Sequence, residues 1–450
     1  MTLSAGTVLT DLARSVRSVA YGDLTDSLVE TTTSRILHAT GVAVVGTQFE
    51  PFAVALRALD PGSGDTPVLA RGGAFAAGDA AFANAVAAHS SLQEDCGPGG
   101  FEEGSHPGTY IVPAALAAAH HTHASGERLL RGVIAGYEAV GIIGRLAPRG
   151  LGARRFRPVG IMGAFGAAAA VSTILSDDLD VLARAIAIAS NTASGSSQGF
   201  VSGTSEPFLH AGFGARNGYF SASLAAAGAT ASDDALDGDF GFFAVYAGEP
   251  ARVLDAATDS PAAITRLGSK KFAVCLQNQE SLELARELRS RVPDAEIQRI
   301  SLRRPQTPAN GTASPGVAAS GPYDTMLQRQ MSARYSVAAA LLGRPVDDPR
   351  YFANPVPDDE VLGLAGKVDL EVSEDDEVQI ALTLSGGESA SLTGRRAEIL
   401  FPDAATIRSR FLVRVASVLG DDSASRVLDI ASRLRDVRDA AVLTGALAGA

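Results

Sequence analysis

Residues 160–175 read Gly-Ile-Met-Gly-Ala-Phe-Gly-Ala-Ala-Ala-Ala-Val-Ser-Thr-Ile-Leu, and the reading of this stretch decides the fold class. Gly160, Gly163 and Gly166 recur at steps of three, and nearly every residue between and after them is small or apolar. No strand pattern precedes these glycines and no acidic partner follows them, so a dinucleotide fingerprint is a poor reading. The better one is a helix whose glycines let neighbouring backbones approach closely. The run falls short of the roughly 20 apolar residues that a membrane span needs. With 47 glycines, no tryptophan and many alanines in the chain, close helix packing through small side chains is the expected theme.

Working outward, apolar residues recur at three- and four-residue steps over residues 28–45, 78–91, 112–121, 126–146 and 179–192, which predicts one helix after another. Ser125-Gly126-Glu127 and Asp177-Asp178 are start signals, and Pro113 suits a first helical turn. Helices joined by short connections imply a bundle rather than a βαβ array. The character changes near Leu267. Residues 281–291 read as an amphipathic helix, 296–303 as a strand, 305–322 as a loop and 335–342 as a helix. Residues 367–372, 377–384 and 388–392 alternate apolar and polar around a Gly386-Gly387 turn, as a meander does. Residues 403–419 and 423–447 return to helix. The expected fold is mainly α. A large all-α helical domain covers residues 1–266, a smaller inserted α+β lid domain covers residues 267–398, and C-terminal helices over 399–450 rejoin the helical domain.

Hydrophobic residues at 46% and charged residues at 20% suit a chain with a real core and exclude wholesale disorder. Fifty acidic against 38 basic residues give a net charge of −12, which argues against a nucleic-acid partner. The two cysteines, Cys96 and Cys275, cannot make a disulfide framework and fit a reducing compartment. Residues 1–20 lack the basic start and unbroken apolar stretch of a signal peptide. A cytoplasmic protein without a membrane partner is expected.

Chemistry-bearing residues gather in a few polar islands. His120, His121 and His123 put only two imidazoles on one helix face, and the local carboxylates or cysteines of a zinc shell are missing, so no metal site is expected. Ser194-Gly195-Ser196 and Ser202-Gly203-Thr204 lack the strand of a nucleophile elbow. The informative segment is 84–108. An Ala-rich helix carrying His89 runs into Gln93-Glu94-Asp95-Cys96, then Glu102-Glu103, then His106-Pro107-Gly108. Polar groups converging at a helix end beside a loop suit general acid–base chemistry, although ordinary capping of a solvated loop uses the same residue types. Arg154, Arg155 and Arg157 could clamp a carboxylate or phosphate, or form a solvated charge cluster. His210 follows Glu206-Pro207, and Lys270 to Cys275 fall at the junction where the α+β part begins, a preferred place for a cleft.

Taken in order, these islands resemble the MmgE/PrpD family, which includes 2-methylcitrate dehydratase, cis-aconitate decarboxylase and iminodisuccinate epimerase. The resemblance rests on His89-Ser90-Ser91-Leu92-Gln93-Glu94-Asp95-Cys96, His106-Pro107-Gly108, Ser125-Gly126 with Gly136-Tyr137-Glu138, and Phe156-Arg157-Pro158-Val159-Gly160. It continues through Gly163 to Ala169, Leu209-His210-Ala211-Gly212, Lys270-Lys271-Phe272 with Cys275, and Ser332 to Ala338. It implies an all-α domain with an α+β lid, a homodimer, a site between the domains that needs no cofactor, and small polycarboxylate substrates. The shared chemistry is proton removal and return next to a carboxylate, which needs a base, a proton donor and cations for the developing enediolate.

This sequence departs from the family pattern at several positions. The first Asp of the helix-end motif falls on Leu92 and its Thr on Cys96, a His falls on Arg157, a Lys on Pro207 and a later His on Gln279. Retained are His89, Asp95, His106, His210, Lys270 and Tyr335. The resemblance then implies His106, Tyr335, Lys270 and Asp95 as catalytic residues. Arg157, His89, Gln93, Cys96, His210 and Cys275 would bind substrate. Losing specialised acid–base groups points first to gentler chemistry, an epimerase or isomerase of the iminodisuccinate-epimerase type. A hydro-lyase or decarboxylase with a rearranged site, and an inactive homologue that only binds, are the alternatives.

Overall fold

The computed structural model describes residues 6–97, 105–148, 150–252, 262–293, 296–305, 315–375, 377–394 and 397–449. At its centre is the Pro158–Leu175 helix, with every residue from Val159 to Ile174 buried. It packs against the Glu206–Ala226, Gly126–Leu146, Gly108–Thr122 and Leu179–Ala189 helices. The glycines do what their spacing predicts. A Cβ on Gly160 would lie 1.9 Å from the Ser194 carbonyl oxygen, and one on Gly163 would lie 2.9 Å from Gly214 Cα. The length and hydropathy of this helix are those of a membrane span, and its burial on all sides within the bundle accounts for both.

The start signals act as read. Ser125 Oγ accepts from Arg128 N–H at 3.2 Å and Asp178 accepts from Asp180 N–H at 2.9 Å, each filling one of the vacant donors of a first turn. One start differs. The helix expected from residue 112 begins at Gly108, so Pro113 lies inside it rather than in its first turn. The 21-residue helix Glu206–Ala226, read from sequence only as a polar island, is one of the main partners of the central helix.

Buried apolar side chains form two large clusters. One joins Leu9 through Leu267 with Ile407 through Leu447, so the C-terminal helices Ala404–Leu419, Asp421–Ser432 and Ala441–Ala448 complete the core begun by the N-terminal helices. The single helix expected over 423–447 is broken by a 3-10 turn at Leu434–Asp436, where the Val437 carbonyl accepts from Gly126 N–H at 2.8 Å. The other cluster spans Phe272 to Leu384 and also takes in Leu92 and Phe208 from the helical part. It packs the Gln279–Arg291 and Ala333–Leu341 helices with a four-stranded sheet.

That sheet is not the expected meander. Its order is Val368–Ser373, Ile297–Pro305, Val378–Leu384, Ser389–Gly394. Ile297–Pro305 inserts between two of the predicted neighbours, parallel to the first and antiparallel to the second. Its Ile300 and Leu302 are completely buried, a core requirement that the interior strand position meets. A second, minimal ladder links the two clusters. Asp95–Cys96 pairs antiparallel with Gly268–Ser269, and Arg35 fastens it by donating to Leu267 O, to Gly268 O at 3.0 Å and to Ser269 Oγ at 3.0 Å.

Candidate active site

The Ala77–Ser90 helix ends with His89 wholly buried, and Leu92, in the left-handed region at φ +53, turns the chain into the short ladder. His89 Nε2 lies 2.9 Å from Arg157 Nη2, and His89 Nδ1 lies 2.5 Å from Glu94 Oε1. A guanidinium only donates, so Nε2 is the accepting nitrogen and Nδ1 carries the proton. The other Glu94 oxygen, Oε2, lies 2.5 Å from Lys270 Nζ, which also donates to the Leu92 carbonyl at 3.2 Å. Lys270, Glu94, His89 and Arg157 thus form one continuous buried polar chain. Burial pushes the Glu94 carboxyl up, but Lys270, His106 and His89 hold it well below the usual carboxylate range. Burial lowers the His89 imidazole, against the pull of Glu94.

His106 stands beside this chain, its ring 5.8 Å from that of His89. Its backbone is left-handed at φ +56, a conformation that costs a side chain of this size on the order of 1 kcal/mol. Three bonds hold it there. Its Nδ1 lies 2.8 Å from the Asp95 carbonyl, and its own carbonyl accepts from Thr109 N–H at 3.0 Å and Oγ1 at 2.7 Å. A carbonyl only accepts, so Nδ1 carries the proton and Nε2 presents a lone pair. Burial, then Lys270, pulls the imidazolium well below the usual histidine range. His106 is therefore a neutral base at pH 7.

Asp95 works on the other side of the strand. Its two carboxylate oxygens accept from Gly108 N–H at 3.0 Å each and from the Tyr137 hydroxyl at 2.6 Å. This caps the Gly108–Thr122 helix from a distant segment and explains its early start. It also explains the glycine of His-Pro-Gly, because a Cβ on Gly108 would lie 2.9 Å from Tyr137 Oη and 3.1 Å from Asp95 Cγ.

Arg157 precedes the central helix, 6% exposed, its guanidinium 4.0 Å from the Phe200 ring centroid. Among the described residues its Nη1 is buried without a hydrogen-bond partner. Burial brings its pKa down to about 10. His210 has a buried Nδ1 that is likewise unpartnered, and burial, Arg157 and His89 together bring it down to about 4. The Cys275 thiol is half-buried and close enough to Arg157 to act on its charge.

The structure therefore brings His89, His106, Arg157, Lys270, His210 and Cys275 into one electrostatic neighbourhood. Four further expected site residues make contacts of another kind. Asp95 positions the helix that follows His106. Gln93 donates to the Lys271 and Asp347 carbonyls at 3.0 and 2.7 Å, tying main chain together. Cys96 is completely buried opposite Gly268 in the ladder. Tyr335 is buried in the core of the sheet-bearing part, 5.2 Å from the Tyr323 ring and 6.4 Å from Phe352. Gln279 closes a turn, accepting from Lys271 and Phe272 N–H at 3.0 Å each. Glu102 and Glu103 lie outside the described residues. His120, His121 and His123 pair with Asp65 and Asp439, and among the described residues no group of three His, Cys, Asp or Glu side chains is arranged to hold a metal ion.

Glu94 is the member that sequence reasoning passed over. Glu94 directly precedes the Asp95–Cys96 strand and faces Lys270, whereas Asp95 turns to Gly108 and Tyr137.

The sequence model of the MmgE/PrpD N-terminal domain matches residues 10–253, and that of the MmgE/PrpD C-terminal domain matches residues 272–385. The chain is similar to a cis-aconitate decarboxylase of Homo sapiens, 25% identical over 466 residues that cover 97% of this chain and 94% of that protein. It is similar also to a cis-aconitate decarboxylase of Mus musculus, 25% identical over 472 residues covering 98% and 93%. His89, Glu94, His106, Arg157 and His210 fall in the first matched region and Cys275 in the second, and on these two matches the chain belongs to the MmgE/PrpD family of enzymes.

Proposed function

We propose that the protein is a lyase of small carboxylic acids that begins by removing a proton from the carbon next to a carboxylate. The observation that carries this reading is the neutral His106, with Nδ1 committed to the Asp95 carbonyl and Nε2 left as a base beside Lys270 and Arg157. Arg157 would grip the carboxylate and steady the charge that develops on the enediolate. His106 Nε2 takes the proton, and the electron pair left on carbon forms a double bond to the adjoining carbon as its C–O bond breaks. The imidazolium hands the proton to the departing hydroxyl, which leaves as water. The sheet-bearing segment would act as the cover of the site, because it carries Cys275 and Lys270 lies at its start. The relatives named cis-aconitate decarboxylases support a lyase over the epimerase favoured by the sequence.

Epimerisation stands as the second reading because of His210, a second imidazole with an unpartnered nitrogen that could serve a second face. Proton NMR in D₂O with succinate-, citrate- and aspartate-derived acids separates the two. New alkene signals with ultraviolet absorption support the lyase. Deuterium entering next to a carboxylate without alkene supports the epimerase. His106→Gln should lower either turnover by about 10²–10⁴-fold. A variant that turns over as fast as the parent would sink both assignments.

A further inference from the structure

Among the described residues, the charges that meet in this site do not cancel. Lys270 and Glu94 form a closed pair at 2.5 Å, both completely shielded from solvent. His89 is kept neutral by burial, one nitrogen facing a carboxylate and the other accepting from a guanidinium. Arg157 remains. Its Nη2 is spent on a neutral imidazole, and its Nη1 is buried with no partner among the described residues. An interior guanidinium whose neighbouring carboxylate, Glu94, is already paired with Lys270 is costly, and an unsatisfied N–H on it more so. The surplus is one positive charge with one vacant donor, which is what a single carboxylate would satisfy.

Apolar side chains pack against parts of this cluster, and His106, His210 and Cys275 stand close to it as well. The Arg157 guanidinium lies 4.0 Å from the Phe200 ring centroid, Phe208 meets the His89 ring edge-on at 6.0 Å, and Leu92 is buried in the same apolar cluster as Phe208. A second substrate carboxylate would have to draw Lys270 away from Glu94. That would leave the buried Glu94 carboxylate facing an anion of like charge.

We infer that this site selects an acid with one carboxylate, seated on Arg157 Nη1, and an uncharged, largely apolar remainder, and that Glu94 sets this selectivity by occupying Lys270. The inference rests on this cluster being the substrate site, as proposed above, but it concerns binding and needs no turnover.

Calorimetric titration of the full-length protein with 3-hydroxybutanoate, malate and citrate tests it. These probes carry one, two and three carboxylates, each with a hydroxyl one carbon beyond an activated C–H bond. The parent should bind 3-hydroxybutanoate at least about 10-fold more tightly than malate or citrate. Glu94→Gln, which frees the ammonium, should reverse that order in favour of malate, and Arg157→Gln should abolish binding of all three. Circular dichroism identifies any variant that fails to fold. Should Glu94→Gln fail, Arg157→Lys takes its place, and should weaken the single carboxylate about 10-fold without changing the order. Tighter binding of malate or citrate by the parent overturns the inference, as does binding of none of the three. Single-carboxylate selectivity without hydrogen exchange in D₂O would refute the lyase and leave the selectivity standing. Turnover of malate at higher affinity would do the reverse.

Discussion

At His106 the chain adopts a backbone conformation that few residues of its size accept, and the ring is aimed by a main-chain carbonyl rather than by a carboxylate. This matters for its titration. A carboxylate partner would hold a proton on the ring, whereas here burial comes first and Lys270 second, and both expel it. The base form exists above the pKa, and that pKa lies well below the usual 6.5. Activity per substrate encounter, kcat/KM, should therefore stay level from pH 7 down past 6.5 and fall only at lower pH. A pH–rate profile with its acid limb centred at or above 6.5 would show that a different group is the base. Of the groups that meet here, the imidazoles and Arg157 were legible in the sequence as members of a few polar islands. Glu94 was not, because its meaning depends on a lysine 176 residues away.

Among the elements, the central helix carries the tightest constraint. A methyl group on Gly160 would meet backbone, Ser194 O at 1.9 Å, so neither neighbour can swing aside. Gly160→Ala should cost about 1–3 kcal/mol, read as a lowered Tm. It should also weaken carboxylate binding, because the Arg157 N–H donates to Gly195 O in the same loop. An unchanged Tm would mean that the helices are not packed this closely. Helices with a sharp local start were readable, and Gly126–Leu146 runs between the same residues that periodicity and Ser125 indicate. The Gly108 start was hidden because its cap comes from Asp95, in another element. Glu206–Ala226 was hidden because Glu206, His210, Arg216 and Asn217 interrupt its apolar pattern, although Gly214 on its buried side packs against Gly163. Strand order in the sheet was hidden for a different reason. Alternation marks a strand but carries no address, and parallel pairing is fixed by the intervening helices.

For the molecule as a whole, burial of neutral histidines couples folding to pH. His38, His89 and His106 are all pulled below their ordinary range, chiefly by burial. In the unfolded chain each takes up a proton near pH 6.5. Below that value the unfolded state binds protons that the folded state refuses, so stability is full above about 6.5 and is lost progressively as pH falls toward the folded values. Glu94 adds to the loss further down, as the carboxylate held ionised by Lys270 is forced to protonate. Melting curves should give a Tm that declines steadily from pH 7 to 5. A Tm rising over that interval would contradict the buried, uncharged state of these rings.

The hydrogen bond from Ala70 N–H to the Leu447 carbonyl, 2.9 Å long, has a bearing on how the chain is made. The segments that seal the helical core against Asp26–Gly46 leave the ribosome only after the entire sheet-bearing part has emerged. Until then the side of that helix that packs against Ala404–Leu419 has no cover, and Glu94 waits for Lys270. High contact order of this kind slows folding and prolongs the exposure of sticky intermediates. Yield in a heterologous host should depend on growth temperature and chaperone supply more than on codon choice in the first half of the gene.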